Sequence, residues 1–417
     1  MRELEKYSIG VGDRFAHQGE AQLAALVEAK KLGVNLVPVW NKSYREHSIV
    51  HTDPATVRKE ADEAVKALGW KDSYYVDADH ISLKTVDIFL DSSDFFTLDV
   101  ADYSGKPAPD KDIDAFVQAH RSFLGQLSIP GIEEPLQITE ETIRTTARKY
   151  LLAIQEAGKI YRHIESKKGK GTFITEVSID ETDVPQVPVE MLFILSAIAR
   201  EGIPAQTIAP KFTGRFNKGI DYVGDVQQFE KEFNEDLAVV AFAVKEFGLP
   251  ANLKLSVHSG SDKFSIYEPI RKALKRTGAG LHLKTAGTTW LEELIGLAAG
   301  GGEGLAIAKE IYRKAYGRFE ELCAPYASVI DIDRSKLPDP EVVAGWDGNQ
   351  YAETLRHVQS NPHYNLHFRQ LLHVGYKVAA EMGDRYYRAL EAAEDVIAEN
   401  VKENLLERHI KRVFPQG

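Results

Sequence analysis

The chain has 417 residues, of which 43% are apolar and 27% charged, and its formal net charge at pH 7 is −11. These values are typical of a globular protein, and the negative charge argues against broad binding to nucleic acid, which requires a basic surface. The single cysteine, Cys323, excludes an internal disulfide and a cysteine-based metal cluster. The chain shows no signal peptide and no apolar run near the ~18 residues of a membrane span, so we expect a cytoplasmic protein without membrane contact.

Eight short runs with β-strand character alternate along the chain with helical patterns. Glu20–Leu32 and Thr56–Leu68 are typical of the helices. Strand–helix alternation at this spacing predicts parallel strands, and a count of eight favours a closed (β/α)8 TIM-type barrel over an open sheet. The predicted strands are Tyr7–Gly12, Val34–Trp40, Ser73–Asp79, Phe95–Ala101, Gly171–Ser178, Ala205–Lys211, Leu253–His258 and Gly280–Thr285.

Two segments depart from this alternation. Gly105–Pro135 is rich in proline, glycine and aspartate, and Thr139–His163 has the pattern of one long helix. We therefore predict an insertion after strand 4, at about residues 103–165, on the catalytic side of the barrel. Beyond Trp290 the amphipathic segments Glu303–Leu322 and Leu366–Val413 flank a loop at Asp331–Gln350. The sequence thus predicts a barrel over residues 1–300 and a helical C-terminal extension over 301–417 that packs on it.

Histidines lie at the ends of three predicted strands, where the reactive side chains of such barrels cluster. They are His80, His258 and His282. Converging imidazoles with a nearby carboxylate form a site for a divalent cation such as Zn²⁺, Mn²⁺, Ni²⁺ or Co²⁺. The alternative is that each histidine caps a strand or forms a hydrogen bond within the core.

Carboxylates also occur inside the predicted strands, at Asp77, Asp79, Asp99 and Glu176. Asp77 and Asp79 share one face because side chains alternate along a strand. Acids that point into a barrel mouth indicate metal ligation or an acid/base pair with tuned pKa values. The alternative is an internal salt bridge with one of the lysines Lys211, Lys254 and Lys284.

Further polar residues follow the strands and are suited to bind the hydroxyl and carboxylate groups of a polar, linear substrate. The candidates are Asp13, Arg14, Trp40, Asn41, Lys42, Lys211, Asp262, Lys263, Lys284 and Thr285. The turn within Lys284–Trp290 predicts an anion-binding site at a helix N-terminus, with simple N-capping by Thr288 or Thr289 as the alternative. No motif implies a nucleotide cofactor.

Five long motifs resemble those of the tagaturonate epimerases, bacterial enzymes of hexuronate breakdown. The motifs are YYVDADHI, FITEVSID, APKFTGRFNKGIDYVGD, LKLSVHSGSDKFSIY and FRQLLHVGYKVAAEMGDRYY. The resemblance implies a metal-dependent enzyme that interconverts D-tagaturonate and D-fructuronate at C4 in ketose numbering, with some activity on tagatose and fructose. It implies acid/base roles for Asp79 and Glu176. It also implies metal ligation by His80, His258 and His282, with Asp225 or His373 as replacement ligands.

The implied chemistry leaves two routes open. C4 is β to the C2 carbonyl, so its proton is not acidified directly, and inversion needs either reversible C3–C4 cleavage or migration of the carbonyl through enediolates. Both routes develop negative charge on an oxygen, which a metal stabilises.

A metal-dependent sugar isomerase or class II-type aldolase on the same barrel is the alternative enzyme, and a barrel that only binds sugar acids is the non-enzyme alternative. The sequence leaves a homo-oligomer open.

Overall fold

Eight parallel strands close into a barrel in the computed structural model, which describes residues 2–180, 182, 184–285 and 288–416. The strands are β1 Tyr7–Val11, β2 Val37–Ser43, β3 Tyr75–Ile81, β4 Phe95–Asp99, β5 Gly125–Leu127, β6 Leu136–Ile138, β7 Ile174–Ser178, β8 Thr207–Ala209, β9 Lys254–His258 and β10 Leu281–Lys284. The barrel order is β1-β2-β3-β4-β7-β8-β9-β10, and β10 pairs back with β1. β5 and β6 form a separate antiparallel hairpin. The predicted (β/α)8 barrel is confirmed.

Helices connect the strands and form the C-terminal part of the chain. They are α1 Gly19–Lys31, α2 Tyr44–Val50, α3 Ala55–Leu68, α4 Asp110–Ala119, α5 Glu140–Lys168, α6 Pro188–Arg200, α7 Val226–Phe247, α8 Phe264–Thr277, α9 Thr288–Gly300, α10 Gly302–Gly317, α11 Phe319–Cys323, α12 Pro340–Ala344, α13 Gly348–Leu355, α14 Leu366–Val374, α15 Tyr376–Glu381, α16 Asp384–Ala392, α17 Glu394–Glu403 and α18 Lys411–Val413. A π-helical segment, Asn404–Ile410, joins α17 to α18. Among the described helices, none combines the length and apolar character needed to cross a membrane.

Two local differences from the predicted elements matter for the site. β2 begins and ends later than predicted, so that Asn41 and Lys42 belong to the strand instead of following it. The predicted loop Asp331–Gln350 contains α12 and the start of α13. α13 begins at a capping box, because Asp347 accepts a hydrogen bond from the backbone N–H of Gln350 and the Gln350 side chain accepts one from the backbone N–H of Asp347.

The barrel interior changes from apolar to polar along the strands. Its lower part is a separate apolar cluster formed by Leu4, Val37, Val39, Tyr75, Phe95 and Ile174. Two residues further along the strands, on the same inward face, stand polar side chains: Asn41, Asp77, Thr97 and Glu176. This switch places polar groups at the carboxyl ends of the strands, where the active sites of such barrels lie.

The long segment between β4 and β7 contains α4, the β5–β6 hairpin and α5. α5 contacts β4 and α6, as expected for a helix that links two neighbouring barrel strands.

In the C-terminal part of the chain, α17 contacts α1 and α9, and the π-helical segment contacts α1 and α8. The ring of Phe414 lies 5.5 Å from that of Tyr7, centroid to centroid. The extension therefore covers the barrel wall between the first and last strands.

The contact between α9 and α17 depends on the absence of a side chain at Gly296. A Cβ there would stand 2.6 Å from Ile397 Cγ1 and 2.8 Å from Ile397 Cα, so α17 would have to move. We expect Gly296→Ala to lower the free energy of unfolding by about 1–3 kcal/mol, the usual cost of overpacking. Denaturant unfolding measures the effect.

Gly300→Ala, in the same helix, is the matched control. A Cβ at Gly300 would lie 3.9 Å from the Cβ of Ala393, which is ordinary contact, so we expect this change to be neutral or slightly stabilising. Equal loss of stability in both variants would contradict the packing argument.

Candidate active site

The ammonium group of Lys284 lies at the centre of the polar part of the barrel interior. Its Nζ is 2.8 Å from Asp77 Oδ2, 2.9 Å from Asp79 Oδ1 and 2.8 Å from Glu176 Oε1. It also donates a hydrogen bond to Thr97 Oγ1 at 2.6 Å, and Thr97 in turn contacts Asp77 and Glu176. All five side chains are buried. One cation thus holds two carboxylates of β3 and one of β7.

The three carboxyl groups differ in proton affinity. Burial raises the pKa of Asp77 to about 6, against the attraction of Lys284, and repulsion from Asp79 and Glu176 adds to the rise. Burial also opposes the charge of Asp79, but Lys284 and two neighbouring imidazoles outweigh it and lower the pKa to about 2. Burial likewise opposes the charge of Glu176, but Lys284 and His258 outweigh it and hold the pKa of Glu176 well below its usual value. Asp79 and Glu176 therefore stay ionised at neutral pH.

His258 joins this cluster to a further carboxylate. Its Nε2 is 2.8 Å from Glu176 Oε1 and its Nδ1 is 3.1 Å from Asp180 Oδ2. Asp180 is oriented by Ser178, whose hydroxyl donates to Oδ1. Burial opposes a charged ring, but the attraction of Asp180 and Glu176 outweighs burial and the repulsion of Lys284, and raises the pKa of His258 to about 9.

His80 enters the site through an irregularity in β3. The register of β3 against β4 shifts at this point, and His80 has a φ of +51°, which a residue with a side chain rarely adopts. Regular alternation would place Asp79 and His80 on opposite faces. Instead both reach the mouth: His80 Nε2 is 3.8 Å from Asp79 Oδ1 and its Nδ1 is 3.3 Å from Asp99 Oδ2. Its ring meets that of His258 edge to face at 5.3 Å.

His80, Asp180 and His258 form a group with the spacing of metal ligands, which we call the histidine–aspartate triad. One ligand atom from each lies within 4.8 Å of the other two. Glu176, beside the triad, has a buried Oε2 without a hydrogen-bond partner among the described residues. Two imidazoles with a carboxylate are a common donor set for divalent transition metals.

His282, the third predicted metal ligand, lies deeper in the barrel. It stands two residues before Lys284 on β10, on the same inward face. Its Nδ1 is 2.8 Å from Ser8 Oγ, and its ring lies 5.3 Å from that of Phe95. Burial lowers the pKa of this imidazole to about 3, so the ring is neutral. The structure therefore brings His80 and His258 together and leaves His282 in a different layer.

The sequence analysis missed Asp180 as a residue of the site, and it expected Asn41 after a strand and not on its inward face. Asp180 lies just beyond β7, two residues after Ser178 and within one of the long motifs, but no strand pattern marks it. Asn41 lies on the inward face of β2, paired in register with Asp77, and both its side-chain polar atoms are buried without a partner among the described residues. Period-two alternation continued through β2 places Asn41 on that inward face.

Several of the predicted substrate-binding residues have structural partners. The Trp40 indole donates to Gln22 Oε1 at 3.0 Å, and Lys42 Nζ donates to the carbonyl oxygen of Arg14 at 2.6 Å. Both side chains point from β2 towards the surrounding helices and loops, opposite to Asn41. Asp13 accepts hydrogen bonds from three backbone N–H groups of its own loop, those of Phe15, His17 and Gln18.

The other predicted site residues lie near the loops around the mouth of the barrel. The Thr285 N–H and hydroxyl donate to the carbonyl oxygen of Gly10 at 3.1 and 3.2 Å. Lys211 is half-buried, and its N–H donates to a glutamine side chain. Asp225, the suggested replacement ligand, caps the N-terminus of α7. The predicted anion-binding turn at Ala286 and Gly287 lies outside the described residues.

Asp262, in the loop after β9, binds the C-terminal extension. It is fully buried and accepts hydrogen bonds from Arg369 Nη2 at 2.9 Å, His357 Nδ1 at 3.0 Å and His409 Nε2 at 3.0 Å. Burial opposes its charge, but Arg369 and the two histidines hold its pKa well below the usual value. Arg369 Nε also donates to the carbonyl oxygen of Gly219, in the loop after β8, at 2.6 Å. Both Asp262 oxygens are thus engaged by the protein, and the extension holds two loops of the mouth.

Comparison with known proteins decides the family. Residues 1–413 match the family model described as UxaE, tagaturonate epimerase. The chain belongs to the tagaturonate epimerase family. A tagaturonate/fructuronate epimerase of Thermotoga maritima is 30% identical over 421 residues, which cover 97% of this chain and 79% of that protein. This member of the tagaturonate epimerases is therefore an isomerase that acts on carbohydrates.

Crystal structures show the same fold. The native fructuronate-tagaturonate epimerase UxaE from Cohnella laeviribosi superposes with a TM-score of 0.76 at 24% identity, covering 98% of this chain and 82% of that one. Its complex with two glycerol molecules gives a TM-score of 0.79 at 24% identity, over 98% of this chain and 81% of that one. The tagaturonate epimerase resemblance of the sequence motifs is thus confirmed.

The central position of Lys284 in this tagaturonate epimerase leads to a stability prediction. Lys284→Met leaves three buried carboxylates without their cation, and loss of one partner from such a cluster costs about 3–5 kcal/mol at neutral pH. In the native protein Asp79 and Glu176 have pKa values below those of the unfolded chain, so their pairing stabilises the fold above about pH 4. In the variant burial raises those pKa values, so ionisation destabilises the fold. We therefore expect the loss of stability, measured by urea unfolding, to grow between about pH 5 and pH 7.

Lys254→Met is the matched control. Lys254 is a buried lysine at the other end of the interior and donates to the carbonyl oxygens of Leu4 and Glu5 at 3.1 and 2.6 Å. Burial lowers its pKa to about 8, so the lysine remains charged between pH 5 and pH 7. The cost of its replacement should be constant over that range. The same pH profile in both variants would contradict the role given to Lys284.

Proposed function

We propose that this protein is a divalent-metal-dependent epimerase that interconverts D-tagaturonate and D-fructuronate at C4. One observation carries the proposal beyond family membership: two ionised carboxylates, Asp79 and Glu176, border the histidine–aspartate triad. Asp79 Oδ1 is 3.8 Å from the imidazole of His80, and Glu176 Oε1 is 2.8 Å from that of His258. Proton acceptors and candidate metal ligands thus share one buried site.

The residues present fit a divalent cation. His80, His258 and Asp180 supply two nitrogen donors and one oxygen donor, and the unpartnered Oε2 of Glu176 is a further oxygen beside them. When bound, the cation would polarise a substrate oxygen and stabilise negative charge that develops on it. Zn²⁺, Mn²⁺, Ni²⁺ and Co²⁺ all suit such a donor set.

Asp79 and Glu176 are proposed to move the protons of the reaction. In the cleavage route, one carboxylate removes the proton of the C4 hydroxyl, the C3–C4 bond breaks, and the same proton returns after the aldehyde has been attacked on its other face. In the enediolate route, the two carboxylates carry protons between neighbouring carbons as the carbonyl migrates. Both routes require acceptors that remain ionised beside the reacting carbons. Lys284 and Thr97 hold the two carboxylates in position for either route.

The other groups at the mouth bind and orient the substrate in this proposal. Asn41 offers an amide N–H and a carbonyl oxygen that lack protein partners among the described residues, which suits a substrate hydroxyl. Asp77, with its pKa raised to about 6, is the carboxyl group of the cluster that takes up a proton most readily. It is proposed to buffer the charge of the cluster while the substrate reacts.

NMR of pure D-fructuronate incubated with the protein tests the reaction. We expect D-tagaturonate signals to appear, to be lost after EDTA treatment, and to return when Mn²⁺, Zn²⁺ or Ni²⁺ is restored. Turnover that survives exhaustive removal of metal would refute the metal dependence. An aldose product would indicate a sugar isomerase, and three-carbon products would indicate an aldolase.

Metal binding by variants tests the ligand set. We expect His258→Asn to weaken the binding of Mn²⁺ in equilibrium dialysis by at least about a hundredfold, since even partners outside the ligand set change metal affinity by 10–100-fold. His282→Asn is the matched control: it removes an imidazole from the same barrel interior, one layer deeper, and should leave the affinity nearly unchanged. Equal losses in the two variants would show that the ligand set is wrong.

A further inference from the structure

A group of cationic and imidazole side chains stands on the rim of the barrel, apart from the carboxylates of the site. Arg14 follows β1, Lys218 lies in the loop after β8, Lys263 lies in the loop after β9, and His373 belongs to α14. We call these four residues the basic cluster. The loops that follow parallel barrel strands all lie at the same end of the barrel, so the basic cluster shares the mouth with the histidine–aspartate triad.

Short contacts connect the members of the basic cluster. Lys263 Nζ donates to Ser261 Oγ at 2.8 Å, and the same oxygen accepts a hydrogen bond from the N–H of Gly219 at 3.0 Å. A Cβ on Gly219 would stand 3.4 Å from the Cβ of His373. Lys218 is the neighbour of Gly219 in sequence. The loops after β8 and β9 therefore bring Lys218, Lys263 and His373 together against the extension.

Arg14 reaches the same region through the extension. Its guanidinium carbon lies 4.4 Å from the centroid of the Tyr376 ring, and Tyr376 follows His373 by one helical turn. Lys218 Nζ lies 3.5 Å from the position that a Cβ on Gly260 would occupy, two residues beyond His258. The basic cluster is thus next to the loop that carries a triad histidine.

Two members of the basic cluster have buried polar atoms without a partner among the described residues. Arg14 Nε and Nη1 and His373 Nε2 are buried without hydrogen-bond partners among the described residues. Arg14 has an ion pair with Glu46, at 3.4 Å through Nη2, which leaves the other two nitrogens unused. Buried donors without partners are costly, so an arrangement of several indicates an acceptor that is supplied from outside the chain.

The local electrostatics favour an anion. Burial lowers the pKa of His373 well below its usual value, and repulsion from Arg14, Lys218, Arg369 and Lys263 lowers it further. Burial also lowers the pKa of Lys263 to about 7, although Asp262 and Asp221 oppose the shift. The acids nearby are already engaged: Asp262 binds the extension, and Asp221 accepts hydrogen bonds from Ser265. The same neighbouring cations that repel a protonated His373 would attract an incoming carboxylate.

We propose that Arg14, Lys218, Lys263 and His373 bind the carboxylate of the substrate and so determine the preference for a hexuronate over the neutral hexose. This inference rests on the proposed function. In ketose numbering the carboxylate is C6, separated from C4 by C5 alone, so its binding group must stand beside the group that acts on C4. Acidic residues and the triad on one side, with the basic cluster on the other, orient the substrate along its length. Arg14 supplies the planar donor geometry that matches a carboxylate.

The C-terminal extension has a specific part in this arrangement. It contributes His373 directly and positions Arg14 through the ring of Tyr376, whose hydroxyl lies 2.9 Å from that of Tyr326. It also holds both loops that carry the lysines, since Arg369 binds Asp262 and the carbonyl oxygen of Gly219. The extension would therefore position the groups that set substrate preference, while the reaction itself is carried out by residues of the barrel strands.

Selectivity between two substrates tests the inference. For Arg14→Gln and Lys263→Met, kcat/KM is measured with D-fructuronate and with D-fructose, which has a hydroxyl group in place of the carboxylate. We expect the value for D-fructuronate to fall at least about a hundredfold, mainly through KM, and the value for D-fructose to fall less than about tenfold. Lys402→Met, an exposed lysine of α17, is the control and should leave both values unchanged. Equal losses for the two substrates would overturn the inference.

Ligand binding separates this inference from the proposed reaction. If the unaltered protein does not convert D-fructuronate, the proposed function fails, but the basic cluster is still tested by thermal shift with D-glucuronate and with D-glucose. We expect D-glucuronate to raise the melting temperature more than D-glucose, and Arg14→Gln and Lys263→Met to remove the difference. The melting temperatures without ligand show whether each variant is folded. Folded variants that retain the difference would refute the carboxylate site.

Discussion

The structure depends on one buried ammonium group. Lys284 Nζ is within 2.9 Å of oxygens from three carboxylates, and each of those charges would be costly inside the barrel without it. The side chain is accommodated by Gly10 on the neighbouring strand, where a Cβ would stand 2.9 Å from Lys284 Cγ. The ion pairs of Lys284 allow three acidic side chains to occupy the polar layer of the barrel interior, directly above the apolar layer. The barrel is thereby stable and still presents ionised groups at its mouth.

The groups proposed to react and the groups proposed to recognise the substrate belong to different elements of the fold. Carboxylates gather on β3, β4 and β7, around Lys284 and the histidine–aspartate triad, whereas the basic cluster belongs to loops and to the extension. Strands hold the groups proposed to transfer protons, because strand positions are rigid. Loops hold the groups proposed to recognise the substrate. Such a division lets the selectivity of a barrel change while its reactive layer remains the same.

The barrel and part of the site follow from local patterns in the sequence. Eight strand-like runs at regular spacing predicted the closed sheet, and period-two alternation correctly placed Asp77 and Asp79 on one face, since both contact Lys284. Other features depend on contacts distant in sequence or on irregular backbone. The shift of register in β3 brings His80 beside Asp79, which no alternation rule predicts. Asp180 lies in a loop, and the partners of Asp262 come from the C-terminal extension, 95 to 147 residues later, so neither carries a local signal.

The hydrogen bonds of Asp262 also determine when the mouth of the barrel can fold during synthesis of the chain. Its partners His357, Arg369 and His409 follow it by 95, 107 and 147 residues. At the usual speed of translation, about 5–20 residues per second, the last of them leaves the ribosome on the order of 10 s after Asp262. During that interval the loop after β9 carries a charge that cannot yet be buried, and the mouth cannot take its final shape. A nascent chain can therefore assemble its strands early, but the completed catalytic end of the barrel appears only when the last helices have been made.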